Sequence, residues 1–222
     1  MATSEPTVVF LDANVIAKPV TRTLLMIGGV PSGYLAVWSQ TAETEAERHL
    51  RDRVTKPSAV RARYGVELTP TGEVGHKFDA TRGADRQILA DAVAAGARYL
   101  VTEDVDDFAE PDLAGVGISA VNPDLFLAER MSAKGYAYAI ATFVTTQTKP
   151  RRTGPQVHAA IAKQHPLLFA AHAGLYDVEP KISPHEPPAV TFRGRRCLRC
   201  ETVNHAGAEL TQGLCEKCRA AR

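Results

Sequence analysis

Four acidic residues spread over about ninety positions each stand beside a different structural signal. Asp12 closes the apolar run VVFLDAN, and Asp104 follows a second such run in RYLVTEDVDDF. Glu45 lies in the charged helical pattern WSQTAETEAERHL, and Asp85 opens the pattern DRQILADAV. An α/β fold gathers acids at strand ends and helix starts into one pocket, because its ligands sit beyond the carboxyl ends of its strands. Carboxylates about 4–5 Å apart repel one another by about 3–4 kcal/mol per pair at an effective dielectric near 20. A divalent cation is the simplest group that offsets this cost. Each acid also has a plainer use. Asp12 and Asp85 can cap helices, a role that contributes about 1 kcal/mol, and Glu45 can be solvated, as its neighbours Glu43 and Glu47 are expected to be.

The second group with ligand chemistry is the cysteines. All four, Cys197, Cys200, Cys215 and Cys218, fall in the last 26 residues in the pattern CLRC-x14-CEKC. Two Cys-x-x-Cys turns at this separation offer four thiolates to one tetrahedral Zn²⁺, at about 2.3 Å each. His205 lies between the turns, but four cysteines already complete such a site. The opening MATSEPTVVFLD lacks the basic region of a signal peptide and runs directly into the first strand, so a cytoplasmic chain is expected, where disulfides are not ordinarily kept.

A formal net charge of +1 conceals an uneven distribution. Residues 1–130 carry 13 Lys/Arg against 19 Asp/Glu, and residues 131–222 carry 13 against 6. No acid occurs from Met131 to Tyr176, whereas Arg151 and Arg152 do. A basic half can be only a solvated face. Joined to an acidic site, it is also the layout expected of a protein that acts on a polyanion. Arg195 and Arg196, just ahead of the first cysteine, are candidates for phosphate contact together with Arg151 and Arg152.

These residues need a frame. TVVFLDANV reads as a buried parallel strand running into a helix over VIAKPVTRTLLMIGG, stopped by Gly28-Gly29. GYLAVWSQ reads as a short extended segment, followed by a helix from about Thr41 to Arg53. DRQILADAVAAG is a helix ended by Gly96, and ARYLVTED and GVGISAVNP supply two more strands. Strand–helix–strand order with short links argues for an α/β domain with a mainly parallel sheet. Helical patterns dominate from Pro123 to about Ala173; PKISPHEPPAV, with four prolines in eleven residues, then reads as an extended linker. The module after it is too short to bury its own core and must be held by metal. No stretch approaches eighteen uninterrupted apolar residues, so no membrane span is expected.

Taken in order, FLDANVIAKPVTRTLL, the W-S-x5-E-x2-R-x-L pattern over Trp38–Leu50 and DRQILADAVAAGARYLVTEDVDDF resemble a PIN-domain ribonuclease, in particular its VapC-like toxin branch. The resemblance covers about residues 7–125 and implies a three-layer α/β fold and a metal-dependent endoribonuclease using Mg²⁺ or Mn²⁺. Carried over by position, Asp12, Glu45, Asp85 and Asp104 are the catalytic carboxylates and metal ligands, with Asp107 as an extra acid before Phe108. Asn14 takes the small polar position after the first Asp. Glu103 stands where such proteins often carry an uncharged residue, which leaves the fourth metal contact open among three neighbours. The terminal four-cysteine module, a zinc ribbon by its pattern, is also a departure from the usual toxin.

The expected organisation is a PIN-like domain over 1–128, a basic helical extension over 129–178, a proline-rich linker over 179–192 and a zinc ribbon over 193–222. The expected partners are RNA and, for a toxin, an antitoxin protein; a homodimer is allowed and a membrane is not. Two alternatives stay open: an RNA-processing endonuclease of the ribosomal-RNA maturation type, and a non-catalytic RNA-binding adaptor. Arg48 and Arg86 are expected in salt bridges, Asp91 on the surface, and Trp38 and Phe108 in the core.

Overall fold

The computed structural model describes residues 5–74, 77–147, 150–179, 188–204, 210 and 212–221. The proline-rich stretch over 180–187, and His205 with it, lie outside the described residues.

Strand β1 (Thr7–Leu11) leads through α1 (Ala13–Ile16) into α2 (Pro19–Gly29). The sequence predicts one helix here. Pro19 splits it, since proline cannot donate to a carbonyl one turn back but suits the first position of a new helix. β2 (Tyr34–Val37) is followed by α3 (Gln40–Arg48), whose N-terminus is capped by the Ser39 hydroxyl accepting from Ala42 N at 3.2 Å. Next come α4 (Pro57–Tyr64), α5 (Asp85–Ala94), β3 (Tyr99–Val101), a 3-10 turn (Val105–Asp107), α6 (Glu110–Val116) and β4 (Ser119–Val121). Helices α7 (Pro123–Arg130), α8 (Ala133–Thr146), α9 (Gly154–Ile161) and α10 (Pro166–Ala171) form the extension, before β5 (Phe192–Arg193) and α11 (Glu216–Ala220).

The fold is mixed α/β around one five-stranded sheet in the order β2-β1-β3-β4-β5. β1 pairs in parallel with β2 and β3, and β3 with β4, in the register Phe10↔Val37, Leu11↔Val101 and Val101↔Val121. β3 and β4 are buried at every position, as strands covered on both faces must be. The antiparallel β5 then closes the β4 edge, pairing Ala120 with Arg193 and Val121 with Phe192.

The extension packs into the same core. α8 crosses α2 where a Cβ on Gly135 would lie 2.5 Å from the carbonyl oxygen of Gly28, so only glycine permits this approach. Asp124 on α7 accepts from the amides of Leu167 and Leu168 at 3.0 Å each and thereby fixes the start of α10. Burial lifts its carboxyl to about 6. Among the described residues no helix is long and apolar enough to cross a membrane.

Candidate metal centres

The acid centre begins where β1 and β3 end. The chain leaves β1 for β2 on one side and returns to β3 on the other, so a crevice opens between the carboxyl ends of β1 and β3. Asp12 follows β1 directly. Its Oδ1 accepts from Ala13 N at 2.6 Å, capping α1, and its Oδ2 accepts from the Thr102 hydroxyl at 2.7 Å. Asn14 joins the two chain segments, donating from Nδ2 to Thr102 Oγ1 at 3.1 Å and to Asp104 Oδ2 at 3.0 Å. Its Oδ1 accepts from Glu103 N at 3.2 Å.

Asp12 is only 6% exposed. Burial raises its carboxyl to about 6 against the hydrogen bonds from Thr102 and Ala13, and the charges of Asp85 and Glu45 add to the rise. Asp85 also reaches about 6, first through burial and then through Asp107, Glu45 and Asp104. Five acids from four separate elements therefore share one electrostatic neighbourhood: the end of β1, the half-buried Glu45 on α3, the first residue of α5, and Asp104 and Asp107 on the 3-10 turn. Glu103, the acid directly after Thr102, pairs with Lys18. Hard carboxylate oxygens fit a hard divalent ion. The carboxylates do not crowd together as the thiols do, since among the described residues the four cysteines are the one group whose ligand atoms all lie within 4.8 Å. A cleft of about 640 Å³ lined by Lys18, Asp104, Asn122 and Gln164 opens beside the centre.

Several local expectations need correction. Asp85 is the first helical residue, and the N-cap is Ala84, which contributes no side-chain bond. Glu43 is not solvated: it is 3% exposed, accepts from Trp38 Nε1 at 2.9 Å, and pairs with Arg61 through Nε at 2.9 Å and Nη2 at 3.2 Å. Glu47 binds Ser58 N at 3.0 Å. Asp91 is fully buried and accepts from Gly72 N at 2.8 Å and Gln87 Nε2 at 2.7 Å, so it organises the loop before α5. Arg86 donates to the carbonyls of Thr81 at 2.6 Å and Asp79 at 3.1 Å where a salt bridge is expected. Trp38 and Phe108 are fully buried, as expected of core residues.

The thiol centre is compact. Cys200 and Cys215 sulfurs lie 3.7 Å apart, and all four Sγ atoms lie within 4.8 Å of one another. A tetrahedron with Zn–S bonds of about 2.3 Å has edges of about 3.8 Å, so the arrangement matches a structural Zn²⁺. Cys215 N donates to Cys197 Sγ at 3.4 Å, which joins the two Cys-x-x-Cys turns.

The module is fastened to the sheet. Tyr99 Oη donates to Cys197 O at 2.6 Å and Arg130 Nη1 to Leu198 O at 3.0 Å. Glu201 collects the Thr7 hydroxyl at 2.6 Å together with Arg98 and Arg130. Two of the candidate phosphate contacts also have partners within the protein. The Arg196 guanidinium donates to the carbonyls of Gly117 at 3.2 and 3.1 Å and of Glu201 at 3.1 Å, and Arg195 pairs with Glu110 at 3.1 Å. Arg151 and Arg152 are exposed ahead of α9. Sequence reasoning counts Arg193 only among the basic residues of the module, whereas its Nη1 donates to the carbonyls of Asp106 at 3.0 Å and Phe108 at 2.9 Å. Thr102 is signalled only by its place before the acids of the VTED run. No protein-family model, no curated protein and no solved structure matches this chain.

Proposed function

We propose that this protein is a metal-dependent endoribonuclease whose acid centre hydrolyses phosphodiester bonds. The observation that carries the reading is the convergence of Asp12, Glu45, Asp85, Asp104 and Asp107, from four separate elements, at the reversal point of the sheet. Bound Mg²⁺ or Mn²⁺ supplies a water of lowered pKa and neutralises the phosphate oxygens. Asp12 has a fixed orientation, because Thr102 and Ala13 hold both of its oxygens. Asn14 ties Asp104 to the same frame, and the mutually repelling acids, with Asp12 the buried one among them, gain most when a cation arrives. The chain's residues thus act by positioning and by electrostatics, without a covalent intermediate. The adjoining cleft has room for a nucleotide of single-stranded RNA next to Asp104.

Within this class, a toxin held inactive by an antitoxin is the first reading and an RNA-processing endonuclease the second. The observation favouring the second is the four-cysteine module built onto the sheet edge, which a toxin of the plain type does not need. Incubation of purified protein with a mixed RNA pool, with and without Mg²⁺ or Mn²⁺, followed by mapping of the new ends, tests the activity. Metal-independent cleavage, or none, rejects it. A small antitoxin reading frame beside the gene separates the two roles.

A further inference from the structure

Arg193 stands at the junction between the thiol module and the acid centre. It lies on β5, the strand that the module adds to the sheet, and the amide of Asn122 beside it donates to Thr191 O at 2.8 Å. From there its Nη1 reaches the carbonyls of Asp106 and Phe108, which flank Asp107 and close the turn that starts at Asp104. The turn is anchored from inside by the fully buried Val105 and Phe108, while Asp104, Asp106 and Asp107 are exposed. Three aspartates within four positions repel one another, and Arg193 sets a cation against the same turn.

The link to the thiols is short. Gly194, at φ 132°, passes so close to β4 that a Cβ would lie 2.5 Å from Ser119 Oγ and 2.8 Å from its Cα. Arg196 N then donates to Ser119 Oγ at 2.9 Å, and Cys197 is the next residue, its carbonyl held by Tyr99. No slack separates the first thiol from the clamp.

We propose that Arg193 is a positioning residue for the turn carrying Asp104 and Asp107, and that metal in the four-cysteine site, acting through β5, keeps Arg193 in place. The functional meaning of this coupling rests on reading the acids as a divalent-cation centre; its structural content does not. The thiol module is then a remote determinant of the shape of the acid centre, with no contact to RNA required.

The test uses the full-length chain, with amide hydrogen exchange as one readout and Mn²⁺ titration calorimetry as the other. In Arg193→Met loaded with one zinc, exchange over 104–108 rises by about tenfold or more, the scale set by a lost charge-assisted hydrogen bond. Exchange over 198–203 stays unchanged, and Mn²⁺ binds several-fold more weakly. Arg193→Lys, which keeps the charge, recovers part of both effects. Gly194→Ala, which pushes β5 off β4, and removal of zinc from the unaltered chain both reproduce the faster exchange over 104–108. Unchanged exchange over 104–108 in Arg193→Met overturns the proposal, as does a uniform rise along the whole chain. Should the unaltered chain bind no Mn²⁺, the divalent-cation reading fails, and the exchange pattern alone decides on Arg193.

Discussion

The Thr102 hydroxyl donates to Oδ2 of Asp12 across 2.7 Å, and this one bond ties the end of β3 to the end of β1. It favours the charged carboxylate, yet burial outweighs it and leaves Asp12 at about 6. A carboxyl whose folded pKa lies above its ordinary 3.8 binds extra protons in the folded state between those two values. Its contribution to stability is therefore lost as pH rises through that window, and the full cost, about 3 kcal/mol, is present at neutral pH. Asp12→Asn keeps the shape and removes the charge. We expect the variant to be more stable by about 1–2 kcal/mol in metal-free buffer at neutral pH, after loss of some hydrogen bonding. RNA cleavage should vanish. Thermal melting and cleavage assayed on the same preparation check this, and a destabilised variant would contradict the account of Asp12.

Metal binding should carry the same signature in pH. A cation must displace the protons that Asp12 and Asp85 retain, and both carboxyls titrate at about 6. Mn²⁺ affinity should climb between about pH 5 and 7, with up to about two protons released per ion, and level off above that. Calorimetry in buffers of different ionisation enthalpy counts the protons. A flat affinity profile would show that these two acids are not ligands.

Zinc removal should be felt by the whole chain. Cys197, Leu198 and Leu214 belong to the same buried cluster as β3 and β4, so the module cannot melt without exposing the sheet edge. At free zinc about a thousand times Kd, the ion adds about 4 kcal/mol, which for a chain of this size corresponds to a fall of about 10 °C in Tm on chelation. One cooperative transition should shift as a unit. Two separate transitions in the calorimetric scan would mean that the module folds independently.

The pair Glu43–Arg61 makes a fourth case. Glu43→Ala leaves Arg61 and the indole N–H of Trp38 without their acceptor, and should cost about 2–4 kcal/mol. Trp38 is the only tryptophan, so its emission reports the loss directly. Denaturant unfolding with an unchanged midpoint would reduce the pair to a surface contact.

The elements around the acid centre are legible because each rests on a local pattern. An apolar run ending in Asp12, a charged helical pattern around Glu45 and a Gly96 stop at φ 66° declare themselves within a few residues. What escapes such reading depends on partners far along the chain. Glu43, Glu45 and Glu47 look alike in sequence, and only Arg61, one helix later, draws Glu43 inward. Asp91 misleads because Ile88, Leu89, Ala90 and Ala92 are buried as well, so α5 has no solvent stripe there for the helical period to reveal. β5 is two residues long and carries no periodicity at all. Its place is set by the Gly194–Ser119 approach and by Arg193, neither of which leaves a pattern.

The pairing of β4 with β5 also has a temporal side. About 70 residues separate the two strands along the chain, and a ribosome adding about 5–20 residues per second needs several seconds to cross that distance. Throughout this interval β4 presents a bare hydrogen-bonding edge, and the carbonyls that Arg193 will cover are free. A nascent chain stalled before residue 192 is thus a sheet with an unguarded border, open to pairing with any extended segment that reaches it first.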